Sequence, residues 1–203
     1  MKILKYGMLF LFTAILMVAC SSDDDVTPNN SNDIENLQLI KTFNKEDYTI
    51  ELYNKTGNLQ VGYNQIVLRL SDANGDYVQD ASFDWMPMMR MNMDGMIHEH
   101  SCPFSEIKKV EGKQSLYEGY IVFIMASDEP DSFWDLEINF SHDGQSLRVN
   151  DKLNVISTEN EYNKSFTSVM GSDGVNYMLA LVEPSEPIIG TNDIQVGLFK
   201  MGE

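Results

Sequence analysis

The sequence predicts an all-β fold, an immunoglobulin-like antiparallel β-sandwich, and three observations favour it. From about Leu37 onward, short alternating or apolar runs are separated by turn signals. No segment keeps a helical period for three turns. Roughly six or seven such strands within about 110 residues are typical of a sandwich of two sheets.

The clearest strand predictions are runs in which side chains alternate or aromatic and β-branched residues dominate. They cover residues 48–53, 65–70, 120–125 and 134–140. Asn74-Gly75 predicts a hairpin turn after the second run, because both residue types tolerate a positive φ. An acidic, proline-containing loop at 127–132 precedes the fourth run, and residues 142–145 form the next turn.

The chain also repeats part of itself at an offset of 128 residues. Residues 59–70 align with residues 187–198, and the pairs Gly62/Gly190 and Asn64/Asn192 match. We therefore predict one sandwich over residues 37–150, followed by a linker and an incomplete second β-repeat over residues 151–203. The chain is then a fragment or an early-terminated gene product, or its last strands are an appendage on the first sandwich. Unpaired strand edges make this part the least stable.

The N-terminus has the order of an export signal. Lys2 and Lys5 precede an apolar run of 12 residues, 8–19, interrupted by Thr13 and ending before Cys20. A helix needs about 20 apolar residues to cross a bilayer, so this run is too short for a permanent span. We predict that residues 1–19 are a signal peptide that is removed.

The string that ends the signal, Leu16-Met17-Val18-Ala19-Cys20, resembles the lipobox of bacterial lipoproteins. The resemblance implies that Cys20 is acylated and anchors the protein in the membrane; the alternative is an ordinary secreted protein with an unmodified cysteine. Residues 20–36 are acidic and rich in Ser, Asn and Pro, which is typical of a flexible tether. The acidic run beside Cys20 also resembles signals that send lipoproteins to the outer face of the outer membrane. A solvated linker explains it as well, and we expect an outer-membrane lipoprotein facing the periplasm or the cell surface.

The charge and the cysteines limit the partners. The formal net charge is −17, and it becomes −19 when the two lysines of residues 1–19 are removed. Such a surface repels nucleic acid, so we expect no nucleic-acid partner. Once Cys20 is acylated, Cys102 has no partner for an intramolecular disulfide. Burial, an intermolecular bridge or a metal ion could each account for it.

One segment stands out by composition. Six of the 13 methionines lie between positions 86 and 96, and two of the three histidines and a cysteine follow at once. Thioether, imidazole and thiolate groups suit copper, and the histidines and the cysteine also suit zinc. Strand alternation places methionines on one face and histidines on another, and a turn at Gly95 could bring them together. The candidate metal ligands are, in order, Met91, Met93, Met96, His98, His100 and Cys102.

The same composition has a second explanation. Methionine is a flexible side chain that fills cores, and one face of a strand in this segment could be buried in the sandwich. The other methionines would then form a contact surface for a protein partner. Histidines at alternate positions are also common on exposed strands without a metal.

The order of several motifs is similar to the YtkA-like domain, which is related to FixH-like domains. The motifs are Gly62-Tyr63-Asn64-Gln65-Ile66-Val67, Gly75, Trp85-Met86-Pro87-Met88-Met89, His98, Pro103, Gly119-Tyr120 and Trp134-Asp135-Leu136. The resemblance covers about residues 45–150. It implies an immunoglobulin-like sandwich in an exported or membrane-attached bacterial protein associated with copper handling or oxidase assembly. This chain differs in doubling the familiar histidine to His98-Glu99-His100 and in adding Cys102.

No arrangement of residues indicates catalysis. Asp72, Asn74, Asp76 and Asp80 imitate part of a calcium loop without its twelfth-position glutamate, and no nucleophile elbow or phosphate loop is present. We therefore expect a non-enzymatic, lipid-anchored envelope module that captures or passes on copper. The alternative is a structural or adhesive envelope module whose Met-rich surface contacts another protein without a metal. The expected partners are the membrane, through the anchor, and a metal ion or an envelope protein.

Overall fold

The computed structural model describes residues 33–128, 130–157, 165–184 and 188–201. The predicted signal peptide, Cys20 and residues 20–32 of the predicted tether lie outside the described residues. Every regular element of the described residues is a strand, which confirms the prediction of an all-β fold. No helix among the described residues is long and apolar enough to cross a membrane.

The strands follow one another with short connections. In chain order they are β1 (Gln38–Lys45), β2 (Tyr48–Asn54), β3 (Leu59–Gln60), β4 (Gly62–Ser71), β5 (Ser82–Met93), β6 (Met96–His100), β7 (Lys108–Lys109), β8 (Leu116–Phe123), β9 (Ser132–His142), β10 (Gln145–Leu153), β11 (Val155–Ile156), β12 (Phe166–Met170), β13 (Asn176–Glu183) and β14 (Gln195–Lys200). Three of the four clearest strand predictions lie within β2, β4 and β9, and the run 120–125 overlaps β8, which ends at Phe123. Gly75 adopts a φ of +84° in a turn, as its sequence predicts.

Two antiparallel sheets form the main body. The first has the strand order β1-β2-β4-β8-β7, and the second has the order β10-β9-β5-β6. A short parallel pair joins β11 to β3, and a third sheet has the order β12-β13-β14. The folded part begins before the predicted boundary at residue 37, because Ile34 packs against a small cluster formed by Tyr53, Val67 and Leu116.

The two large sheets pack face to face, so the fold is a β-sandwich. Alternate residues of each strand point inward, and those of both sheets belong to one buried cluster. Trp85 of β5 and Trp134 of β9 are among its largest members and are at most 1% exposed. Their indole N–H groups donate to the backbone oxygens of Ser105 at 2.7 Å and Met125 at 2.9 Å. Each ring is thereby buried with its polar atom satisfied.

The third sheet packs on the outer face of the first. Met178 and Ala180 of β13 are 1% exposed and contact Val122 of β8. Tyr63 of the first sheet stacks on Phe199 of β14 at a centroid distance of 6.2 Å, and Tyr120 meets the same ring edge to face at 5.2 Å. The protein therefore has three layers over this region.

A local motif occurs twice. The side chain of Asn64 accepts a bond from the Gln60 N–H at 3.0 Å and donates to the oxygens of Gln60 and Gly62 at 2.7 and 2.9 Å. Asn192 makes the same three bonds to Ile188 and Gly190, at 3.0, 2.9 and 3.3 Å. Gly62 and Gly190 have positive φ values of 105° and 131°. Asn64 is buried, whereas Asn192 is partly exposed.

We expect Asn64→Ala to lower the free energy of unfolding by about 2–3 kcal/mol, because three bonds are lost and their partners are left without replacements. Asn192→Ala removes equivalent bonds where water can replace them, so its effect is below about 1 kcal/mol. Urea unfolding followed by tryptophan fluorescence measures both, since both tryptophans lie in the sandwich core. Equal shifts of the midpoint in the two variants would contradict this difference in burial.

Candidate metal-binding site

The methionine- and histidine-rich segment forms a β-hairpin of β5 and β6. Asp94 and Gly95 occupy its two-residue turn with φ values of 52° and 83°, the positive pair that tight hairpins require. Gly95 also donates its N–H to the Asn92 side chain at 3.1 Å. The residues directly opposite one another are Met89 and His100, Arg90 and Glu99, Met91 and His98, Asn92 and Ile97, and Met93 and Met96.

This register places methionines and histidines on one face. Residues directly opposite each other in an antiparallel pair point to the same side of the sheet, with Cβ atoms about 4.5–5.5 Å apart. Met89 is fully buried in the sandwich core, so the face it shares is the inner face of the second sheet. Met91 therefore neighbours His98, and Met93 neighbours Met96, on that same inner face. The predicted turn at Gly95 is what brings the two sets of side chains together.

The inner face opens to solvent toward the tip of the hairpin. Met89 is 0% exposed and Met91 is half-buried, but Met93 is 53% and Met96 is 62% exposed, and His98 is exposed as well. The hairpin thus extends past the part of the sandwich that is covered by the facing sheet. We refer to Met91, Met93, Met96 and His98 as the hairpin face.

His100 lies at the inner end of this surface. Its ring meets Trp134 edge to face at a centroid distance of 5.9 Å, and its Nδ1 lies 3.3 Å from the Ser101 oxygen. When Nδ1 donates to that oxygen, Nε2 is the ring nitrogen with a free lone pair. His100, opposite Met89 in the register, therefore keeps one ring nitrogen available as a ligand while its ring packs against Trp134.

Cys102 does not share the hairpin face. It follows the end of β6 and is a member of the buried core cluster, with 6% of its surface exposed. Burial raises the pKa of its thiol above the ordinary value. Of the three explanations for this cysteine, burial is the one that its position fits.

The outer face of the hairpin combines methionines with an ion-pair network around Arg90. Met86 and Met88 point outward, as does Arg90, which pairs with Glu99 at 2.8 Å and with Asp135 at 2.6 Å. The methionines of the segment are thus divided among the core, the hairpin face and the outer surface. Core packing explains the presence of a methionine at position 89, which is fully buried, and partly at position 91, which is half-buried.

Two neighbours of the hairpin were not apparent from the sequence. Ser132 lies directly opposite Met91 on the β9 side, and the N–H of Asn92 donates to the Asp131 oxygen at 2.7 Å. The acidic loop before β9 therefore adjoins the tip of the hairpin, although it lies about 40 residues away along the chain. Within the part of the chain that the structure describes, no three His, Cys, Asp or Glu side chains converge as metal ligands. A site here would depend on thioethers and imidazole.

Comparisons with known proteins identify no family for this chain. No family model matches it, and no curated protein does. A crystal structure of a DUF4785 family protein from Legionella pneumophila is similar over 78% of this chain, with 11% identity and a TM-score of 0.32. The chain spans about half of that protein, 48% of its length.

We expect the Cys102 thiol to resist alkylation in the folded protein at pH 8, because burial both blocks access and keeps it protonated. Mass spectrometry after treatment with iodoacetamide should show modification at Cys102 only once denaturant is added. Cys102→Ala should lower the free energy of unfolding by about 1 kcal/mol through the small cavity that it leaves. Rapid modification of the native protein would contradict the buried position.

Proposed function

We propose that this protein is a lipid-anchored binding module of the cell envelope that captures or passes on copper through the hairpin face. The observation that carries the proposal is the register of β5 and β6, which sets Met91 opposite His98 and Met93 opposite Met96 on a solvent-exposed surface. We include His100, which lies opposite Met89 at the core end of the hairpin, as a further imidazole ligand. Cys102 is left out of the proposed set, because it is buried in the core cluster and does not share the hairpin face.

The chemistry of these donors supports copper over other metals. Thioethers are soft ligands that favour Cu(I), and imidazole binds copper in either oxidation state. Zinc in proteins is held by thiolate, imidazole or carboxylate groups, and the hairpin face offers one such group, the imidazole of His98. Thioethers also form no disulfides, which suits the oxidising compartment that the predicted export signal implies.

The strand order supports the proposed YtkA-like, immunoglobulin-like assignment. With β1 set aside, the first sheet runs β2-β4-β8-β7 and the second runs β10-β9-β5-β6. These orders correspond to A-B-E-D and G-F-C-C′ of an immunoglobulin-like domain. The hairpin face then lies on the C and C′ strands. The location in the envelope rests on residues 1–19 and Cys20, through which we propose that the protein is held on the outer membrane.

The test is a titration with Cu(I) in competition with a chromogenic chelator, using the chain from Ser21 onward. We expect the variant Met91→Leu/Met93→Leu/Met96→Leu/His98→Gln to lose about 100-fold or more in apparent affinity, equivalent to about 2.7 kcal/mol. Leucine keeps the size and apolar character of methionine, so the loss reports the sulfur atoms and the imidazole.

The matched control is Met86→Leu/Met88→Leu, which removes two thioethers from the outer face of the same strand. It should bind Cu(I) as tightly as the parent protein. If the parent protein and the hairpin-face variant both fail to compete with the chelator, the copper proposal is wrong. The Met-rich surface would then be a protein-contact surface of a structural envelope module.

A further inference from the structure

The tip of the hairpin face carries two thioethers that the fold leaves open to solvent. Met93 is 53% and Met96 is 62% exposed, and the two residues lie directly opposite each other beside the turn. Met89, four residues before Met93 on the same face, is 0% exposed and belongs to the core. One strand therefore presents the same functional group at both extremes of exposure, with half-buried Met91 between them.

Exposure decides which thioethers a two-electron oxidant can reach. A peroxide transfers one oxygen atom to the thioether: a sulfur lone pair forms the S–O bond, the O–O bond breaks, and water leaves. The sulfur is oxidised by two electrons and the peroxide is reduced by two, so no further reactant is needed. A thiol reacts as its thiolate, whereas a thioether needs no deprotonation first. The exposed pair can therefore react at neutral pH.

The thiol nearest to the hairpin is shielded from the same oxidant. Cys102 is 6% exposed and belongs to the core cluster, and burial raises the pKa of its thiol. Both its access to a peroxide and its conversion to the reactive thiolate are thereby suppressed. On the hairpin and the residues that follow it to Cys102, oxidation should begin at the exposed thioethers.

The position of the pair lets the fold tolerate the oxidised product. A methionine sulfoxide is polar, so forming one at Met89 would place an unpaired S=O group in the core, which is unfavourable. At Met93 and Met96 water can solvate the new oxygen, because more than half of each residue is exposed. Oxidation at the tip should therefore change the surface of the hairpin without unfolding the sandwich.

We propose that Met93 and Met96 form a reversible oxidation site that switches off the hairpin face as a soft-metal site. This inference rests on the proposed copper function. Residues directly opposite each other have Cβ atoms about 4.5–5.5 Å apart, so both sulfur atoms can reach one ion. A sulfoxide presents a hard oxygen in place of the soft thioether that Cu(I) favours. Methionine sulfoxide reductases, each acting on one sulfoxide epimer, reverse the change.

The experiment treats the full chain, purified from membranes in detergent, with hydrogen peroxide in the presence of a metal chelator. Fragment-ion mass spectrometry of tryptic peptides then gives the oxidation rate at each methionine. We expect Met93 and Met96 to gain one oxygen atom at least about tenfold faster than Met89. Cys102 should stay protected from iodoacetamide, which shows that the sandwich remains folded. Equal rates at the three methionines, or loss of this protection as the exposed pair reacts, overturns the proposal.

Competition with the chromogenic chelator, after the peroxide is removed, measures the affinity for Cu(I). Protein oxidised at Met93 and Met96 should bind at least about tenfold more weakly than untreated protein, because two soft ligands are lost. Treatment with both classes of methionine sulfoxide reductase should restore the affinity. An unchanged affinity, or a loss that the reductases do not repair, overturns the switch and leaves the copper function standing. Failure to bind Cu(I) before any peroxide is added overturns the proposed function, and the switch with it.

The matched controls remove exposed methionines that lie outside the hairpin face. Met86→Leu removes a 42% exposed thioether from the outer face of β5, and Met170→Leu removes a 73% exposed one from the third sheet. Peroxide should lower the Cu(I) affinity of both variants by the same factor as in the parent protein. A loss that disappears in either variant would assign the effect to that methionine and contradict the proposal.

Discussion

The strict alternation of side chains along β5 determines both the core of the second sheet and the composition of the hairpin face. Ten consecutive residues of β5 pair with β9, and Trp85 and Met89 are held on the inner side of this pairing by the core. A slip of one residue would move both into solvent and bring charged residues inward. Because the register cannot shift, Met91 and Met93 must lie on the same side as the core residues. The composition of the hairpin face is thus a consequence of how the sandwich is packed.

Methionine suits a strand that passes from core to solvent without changing face. Its flexible thioether side chain fills the interior at Met89, and the same group is available to a ligand at Met93. The exposed part of the hairpin is continuous with the core, since the exposed fraction rises from 0% at Met89 to 53% at Met93 along one strand.

Sequence patterns were sufficient for the elements that depend on near neighbours. Alternation predicted β2 and β4, apolar and aromatic runs predicted β9 and part of β8, and Asp94-Gly95 is the turn that joins the methionine and histidine strands. What could not be predicted depends on residues far apart in the chain. The burial of Cys102 depends on how the segment after β6 crosses toward β8, where the Pro103 oxygen accepts from the Val122 N–H at 2.8 Å. The contact of Asn92 with Asp131 likewise arises from the pairing of β5 with β9. The YtkA-like resemblance stays a prediction, since no family model matches.

The repeated asparagine motif shows that one sandwich layer is encoded separately from its cover. Asn64 and Asn192 make the same backbone bonds, although Leu68 and Leu70 beyond Asn64 are 0% exposed and Val196 and Leu198 beyond Asn192 are 54% and 61% exposed. Local hydrogen bonds and strand pairing therefore define the layer together with packing on one of its sides, which in the third sheet is the side of Met178 and Ala180 against Val122. In the sandwich, β5 and β9 of the same chain supply that packing. In the third sheet the corresponding pairs, Leu179–Leu198 and Leu181–Val196, form while the opposite side of the sheet packs on β8 through Met178 and Ala180.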